Sequence, residues 1–164
     1  MGKTRYAIAL GSNRWHGTYG SPERVVRAAA RAICAERLST VRATPALGPA
    51  GRGFANAAAI VATSLPPPEL LATLKDIERR FGRRGGRRWG PRVLDLDILL
   101  WSEGAWAEPG VVVPHPSFRE RRFVLEPLAE LVPDWRDPIS GLTIRQLFFR
   151  QAQRSPVDRA SSAT

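Results

Sequence analysis

The chain has 164 residues, 43% of them hydrophobic, and 25 Lys and Arg against 15 Asp and Glu leave a net charge of +10, the material of one domain with a core of its own. No apolar run approaches the roughly 20 residues that cross a bilayer, and Tyr6 to Leu10 is too short for a secretion signal. Cys34 is the only cysteine and His16 and His115 are the only histidines, which excludes intrachain disulfides and the usual zinc sets and makes a cytoplasmic location the expectation.

Thr4 to Leu10 reads as a strand that stops at Gly11-Ser12-Asn13. A polar loop leads to Ser21, a helix cap, with Pro22 and Glu23 suited to the first turn and Val26, Ala29, Ala30, Ile33 and Cys34 at helical spacing. Thr40 to Thr44 is a short strand, Pro45 to Gly53 a Pro/Gly loop, and Asn56 to Ser64 an apolar strand. After Pro66 to Pro68 comes a helix with Leu70, Leu71, Leu74, Ile77 and Phe81 on one side, Arg79 and Arg80 at its negative end and Gly82 at its cap. Val93 to Trp101 alternates as a strand, with Leu94, Leu96, Ile98 and Leu100 on one face and Val93, Asp95, Asp97 and Leu99 on the other. Ser102 to Gly104 is expected to turn it into a hairpin with Trp106 to Val113, which ends at Pro114-His115-Pro116. Phe123 to Leu131 and Thr143 to Gln151 read as helices. The expected organisation is a single domain over 1–154 and a flexible tail over 155–164. Irregular alternation with a hairpin favours an α+β sandwich, mostly antiparallel with helices packed on the sheet, over a doubly wound parallel sheet.

The usual nucleotide motifs are absent: Gly2-Lys3-Thr4 lacks the glycine-rich stretch that precedes a P-loop lysine, and Gly51-Arg52-Gly53 meets Asn56 where a third glycine belongs. Asp95 and Asp97 leave one strand face about 7 Å apart. At an effective dielectric near 20 such charges repel by roughly 2.4 kcal/mol, which a bound divalent cation would relieve. Oxygen ligands of this kind suit Mg²⁺, which takes one or two carboxylates and fills its shell with water and phosphate oxygens. Just before the pair, Arg79, Arg80, Arg83, Arg84, Arg87, Arg88 and Arg92 place seven guanidinium groups within 14 residues. Arginine forks match phosphate oxygens. A basic nucleic-acid-binding module would explain this charge, yet not the two carboxylates, which repel a phosphate backbone; nucleic acid is therefore not the expected partner. His115, stiffened by two prolines, suits a phosphate contact or proton transfer. Phe54, Asn56, Trp89 and Phe123 flank loops and, beside their default as packing residues, suit a flat heterocycle with donor and acceptor edges.

These residues resemble the 6-hydroxymethyl-7,8-dihydropterin pyrophosphokinases of folate biosynthesis. The resemblance is carried by Ala9-Leu10-Gly11-Ser12-Asn13, Thr44-Pro45, Leu47-Gly48-Pro49, Phe54-Ala55-Asn56-Ala57, Glu78 ahead of Gly82-Arg83, the run Arg88 to Ile98 with its Asp95 and Asp97, and Val113-Pro114-His115-Pro116 followed by Arg121, Phe123 and Leu125. It implies a ferredoxin-like fold and transfer of the terminal pyrophosphate of ATP to the pterin hydroxymethyl group, leaving AMP. It further implies two Mg²⁺ ions on Asp95 and Asp97, and phosphate grips at Arg83 and Arg92. ATP contacts follow at His115 and Arg121, and a nucleotide pocket with Glu78, Arg84, Arg88, Trp89 and Ile98. Phe54 and Phe123 correspond to the aromatics that stack on the pterin and Asn56 to the amide that reads its edge, beside Thr44, Pro45 and Leu47. A related pterin is the alternative acceptor, Asp97 and His115 are both candidates to take the hydroxyl proton, and a monomer is expected. The chain departs from the family pattern in a longer loop at Arg14 to Gly20, a shorter one at Arg83 to Arg88, and Gly110 and Pro116 at positions of further polar contacts.

Overall fold

The computed structural model describes residues 2–14, 16–44, 53–82 and 93–161. The strand β1 (Thr4–Ser12) is followed by α1 (Pro22–Ala32), the short β2 (Arg37–Leu38) and β3 (Arg42–Thr44), then β4 (Phe54–Thr63), α2 (Pro67–Gly82) and β5 (Asp95–Trp101). Ser21 caps α1 as the sequence predicts, its hydroxyl accepting the Arg24 N–H at 3.3 Å. β4 pairs antiparallel with β2, β3 and β1, and β1 pairs antiparallel with β5, so the sheet runs from β2 and β3 through β4 and β1 to β5. β2 and β3 are one strand broken at Ser39. There the backbone N–H bonds the Ala58 carbonyl and the side-chain Oγ accepts the Ala58 N–H, both at 2.9 Å. The hydroxyl thus stands in for a backbone carbonyl, and the break leaves that N–H satisfied.

The expected hairpin forms differently. A turn does follow β5, with the Gly104 N–H on the Trp101 carbonyl, but β6 (Trp106–Glu108) and β7 (Val111–Val113) pair with each other instead of with β5. They turn at Pro109-Gly110, where Gly110 has φ +87° and a side chain would be strained. A single 3₁₀ turn (Phe118–Glu120) leads into α3 (Arg122–Leu131), and α4 (Ile144–Ser161) is helical across the beginning of the segment expected as a tail.

Both faces of the sheet are covered. Tyr6, Ile8, Leu10, Leu94, Leu96 and Ile98 pack under α1 and α2, while Ala7, Ala58, Ile60, Leu99 and Leu100 meet Phe118, Leu125, Leu128 and Ile144 from the α3 and α4 side. Leu100 is a correction to simple alternation. The β1–β5 register shifts so that Ala7 faces Leu100 and Ile8 faces Ile98, leaving Leu99 as the extra residue of a β-bulge. The bulge puts both Leu99 and Leu100 on the α3 side. The longer first loop folds back on α2: the His16 Nδ1 accepts N–H bonds from Thr18 and Tyr19, and Tyr19 stacks on Phe81 with ring centroids 4.8 Å apart.

Candidate active site

The sheet register assembles the centre of the site. Gly11 stands opposite Asn56 on one side and Asp95 on the other, and Ala9 stands likewise between Ala58 and Asp97. Strands are spaced about 4.8 Å, so each row puts its outer side chains about 10 Å apart over a floor of minimal residues. Gly11 and Ala9 leave that floor open. A Cβ at Gly11 would stand 3.1 Å from Asn56 Oδ1, so the glycine lets the carboxamide lie against β1.

This floor is the base of a cleft of about 450 Å³, inside the roughly 300–1,000 Å³ typical of small-molecule sites. Asn56, Asp95, Asp97, His115, Arg121, Phe54 and Phe123 all line it, as the sequence requires of one site. Phe54 opens β4 and Phe123 lies in the first turn of α3; both are 52% exposed, a large apolar area left uncovered for rings of this size. Arg121 lies over Phe123, its guanidinium carbon 5.9 Å from the ring centroid. Thr44 pairs with Phe54 in the sheet, which puts the start of its loop beside that aromatic wall.

His115 reaches the carboxylate strand through the bulge and not through the expected hairpin. Its backbone N–H bonds the carbonyl of the bulged Leu99 at 3.0 Å, and its Nδ1 accepts the Ser117 N–H at 3.2 Å. A neutral ring held this way carries its proton on Nε2.

Glu78 and Ile98, expected at the nucleotide, lie on the α1 and α2 side of the sheet. Glu78 is buried on α2, where its Oε1 accepts the Leu96 N–H at 2.8 Å and Lys75 Nζ lies 3.4 Å away. It fastens the edge strand between the two aspartates. Ile98 packs in the core under α1 and α2, and the bulged Leu99 lies at the cleft wall. Pro45, Leu47, Arg83, Arg84, Arg88, Trp89 and Arg92 lie outside the described residues. Sequence reasoning assigned no role to Ala9, Gly11 and Asn13, which line the cleft; the signal was available as small residues alternating along β1 beside the aspartate strand.

Among the described residues no three His, Cys, Asp or Glu side chains gather as a metal cage. The donor set is a carboxylate pair at the cleft, which fits Mg²⁺ because that ion takes one or two carboxylates and keeps waters and substrate oxygens in its shell.

The family model for 7,8-dihydro-6-hydroxymethylpterin-pyrophosphokinase (HPPK) matches residues 7–133, the span that holds every described group of the cleft. The chain belongs to this family. A Synechocystis 2-amino-4-hydroxy-6-hydroxymethyldihydropteridine pyrophosphokinase is 46% identical over 112 residues, 68% of this chain and 57% of that protein. The Pseudomonas aeruginosa protein of the same name is 42% identical over 143 residues, 82% and 84% of the two chains. The chain thus spans little over half of one HPPK relative and most of the other. Among solved structures, Plasmodium falciparum HPPK-DHPS wild type with SDX-DHP superposes with a TM-score of 0.64 at 13% identity, over 92% of this chain and 44% of that one. An HPPK-DHPS in complex with substrates gives 0.70 at 11% identity, over 94% and 45%. The shared HPPK fold is ferredoxin-like, and the strand order above is its sheet. No helix among the described residues is long and apolar enough to cross a membrane.

Proposed function

We propose that the chain transfers the terminal pyrophosphate of ATP to the hydroxymethyl group of 6-hydroxymethyl-7,8-dihydropterin, giving AMP and the pterin diphosphate in folate biosynthesis, as a cytoplasmic monomer. The observation that supports this reading is that the adjacent rows Asn56–Gly11–Asp95 and Ala58–Ala9–Asp97 bring an amide and two carboxylates to one cleft, which two exposed phenylalanines also line.

Phe54 and Phe123 hold the flat ring by its faces, and the Asn56 carboxamide offers a donor and an acceptor to its edge. That end of the cleft fixes where the hydroxymethyl group points. Asp95 and Asp97 would hold Mg²⁺, two ions on the family pattern, which when bound supplies neutralisation of the charge gathering on phosphate oxygens. His115 presents its Nε2–H and Arg121 its fork to the ATP side, and Arg83 and Arg92 are assigned the phosphate grips, with Arg84, Arg88 and Trp89 at the nucleotide. The pterin hydroxyl oxygen attacks the β-phosphorus, a bond forms there, and the bond from that phosphorus to the oxygen shared with the α-phosphate breaks, so AMP leaves with the electron pair. The hydroxyl proton passes to Asp97, because the Nδ1 of His115 is already engaged by the Ser117 N–H and its Nε2 carries the proton turned to the ATP side. Placement and charge do the chemistry, and no covalent intermediate forms on the protein.

The test is AMP release from ATP and Mg²⁺, with and without the pterin, for the parent and Asp97→Ala. The reading predicts release that depends on the pterin and falls at least about 100-fold in the variant. Folded parent protein that releases no AMP with the pterin overturns it.

A further inference from the structure

His115, Arg121 and Phe123 come from a single stretch, 115–123, that belongs to no sheet and contains only one 3₁₀ turn before α3 begins. Such a stretch needs anchors to hold three site groups in place. One is the His115 N–H on Leu99, and another is Phe118, fully buried against the α3 and α4 core.

The strongest anchor is ionic. Arg119 donates from Nε to Asp137 Oδ2 at 2.5 Å and from a terminal nitrogen to Oδ1 at 2.7 Å, a two-point fork on a residue with no exposed surface. The same carboxylate accepts the Ser140 hydroxyl at 2.6 Å and the N–H groups of Ile139 and Ser140. Asp137 is itself held by its N–H on the Leu142 carbonyl and by its carbonyl on the Gly141 N–H, both at 2.8 Å. Arg119 therefore reaches back to a rigid turn between α3 and α4, while Arg121, two residues on, lines the cleft. A fork fixes direction as well as distance.

We propose that Arg119 and Asp137 are positioning residues that set His115 and Arg121 at the phosphate end of the cleft, so that loss of the pair weakens nucleotide binding far more than pterin binding. This rests on the ATP and pterin reading above. Of the pterin groups, Asn56 and Phe54 are carried by the sheet and only Phe123 belongs to this stretch, where the first turn of α3 also holds it, so loss of the anchor falls mainly on the nucleotide.

The test compares the parent with Arg119→Met and Arg119→Lys. Folding is checked by circular dichroism, affinity for α,β-methylene-ATP with Mg²⁺ by calorimetry, and affinity for the pterin by its fluorescence. Arg119→Met is expected to weaken the nucleotide about tenfold and leave the pterin within about twofold, with Arg119→Lys recovering part of the loss because it keeps the charge without the fork. A folded Arg119→Met variant that binds nucleotide like the parent, or loses both ligands equally, overturns the proposal. If Arg119→Met fails to fold, Arg119→Lys decides by the same ratio of nucleotide loss to pterin loss. A parent that binds nucleotide but not pterin overturns the functional reading and leaves the Arg119 comparison to stand on the nucleotide alone.

Discussion

The two faces of one sheet are built to opposite rules from the same strands. Towards α1 and α2, β1 and β5 present Tyr6, Ile8, Leu10, Leu94, Leu96 and Ile98, all buried. Towards α3 the alternate positions are Ala7, Ala9, Gly11, Asp95 and Asp97, small or charged, with the cleft above the last four. One face is apolar along its length, while the other packs against α3 and α4 at one end and gives up packing at the other to leave room and charge for ligands. That division predicts that substitutions one residue apart will differ in kind.

The largest effect should come from the packed face. Leu96→Ala deletes a fully buried side chain beside Leu10 and should lower unfolding stability by about 3 kcal/mol in urea titration. Next is its neighbour on the open face. Asp95→Asn should reduce pterin-dependent AMP formation about 100-fold, about 2.7 kcal/mol, while costing far less unfolding stability than Leu96→Ala because no buried apolar side chain is lost. An Asp95→Asn protein that unfolds as readily as Leu96→Ala would break the contrast.

A smaller effect measures how the open face is braced from outside. Burial pushes the Asp137 carboxyl up, but the Arg119 fork, Ser140 and the Ile139 N–H outweigh it and hold the group down at about 2 against its ordinary 3.8. A carboxylate lowered in the folded state stabilises above its unfolded value and loses that contribution as pH falls through its folded one. Stability should thus drop by about 2 kcal/mol from this group between pH 4 and 2. Urea curves across that range, set against Asp137→Asn, check it, since the variant has no such carboxylate to protonate. The smallest effect is at the floor. Gly11→Ala presses on Asn56 Oδ1 and should weaken the pterin about tenfold, near 1.4 kcal/mol, in a fluorescence titration, with little change in unfolding.

Much of this contrast could be read in the chain itself. The period-2 alternation of Leu94, Asp95, Leu96 and Asp97 gives the two faces of β5, and Ser21 marks the start of α1 where the structure has it. The bulge was hidden because an extra residue in a run of apolar side chains, Ile98-Leu99-Leu100, leaves no trace in composition. Its consequence, the carbonyl that holds His115, was hidden with it. The hairpin was misplaced because Ser102 to Gly104 and Pro109-Gly110 both carry turn chemistry, and only pairing chooses between them. The Glu78 bond was hidden for a different reason. A glutamate on a helix reads as solvent or ligand chemistry, whereas here it answers a backbone N–H on a sheet edge. Asp137 gave no local signal, since its partner is 18 residues away.

The Glu78 bond also turns one amide into a gauge. The Leu96 N–H is held by a side chain of α2, so its exchange with deuterium slows only while that helix rests on β5. Because Leu96 sits between Asp95 and Asp97, the exchange rate at this single peptide group reports how firmly the two carboxylates are seated, before any ligand is added.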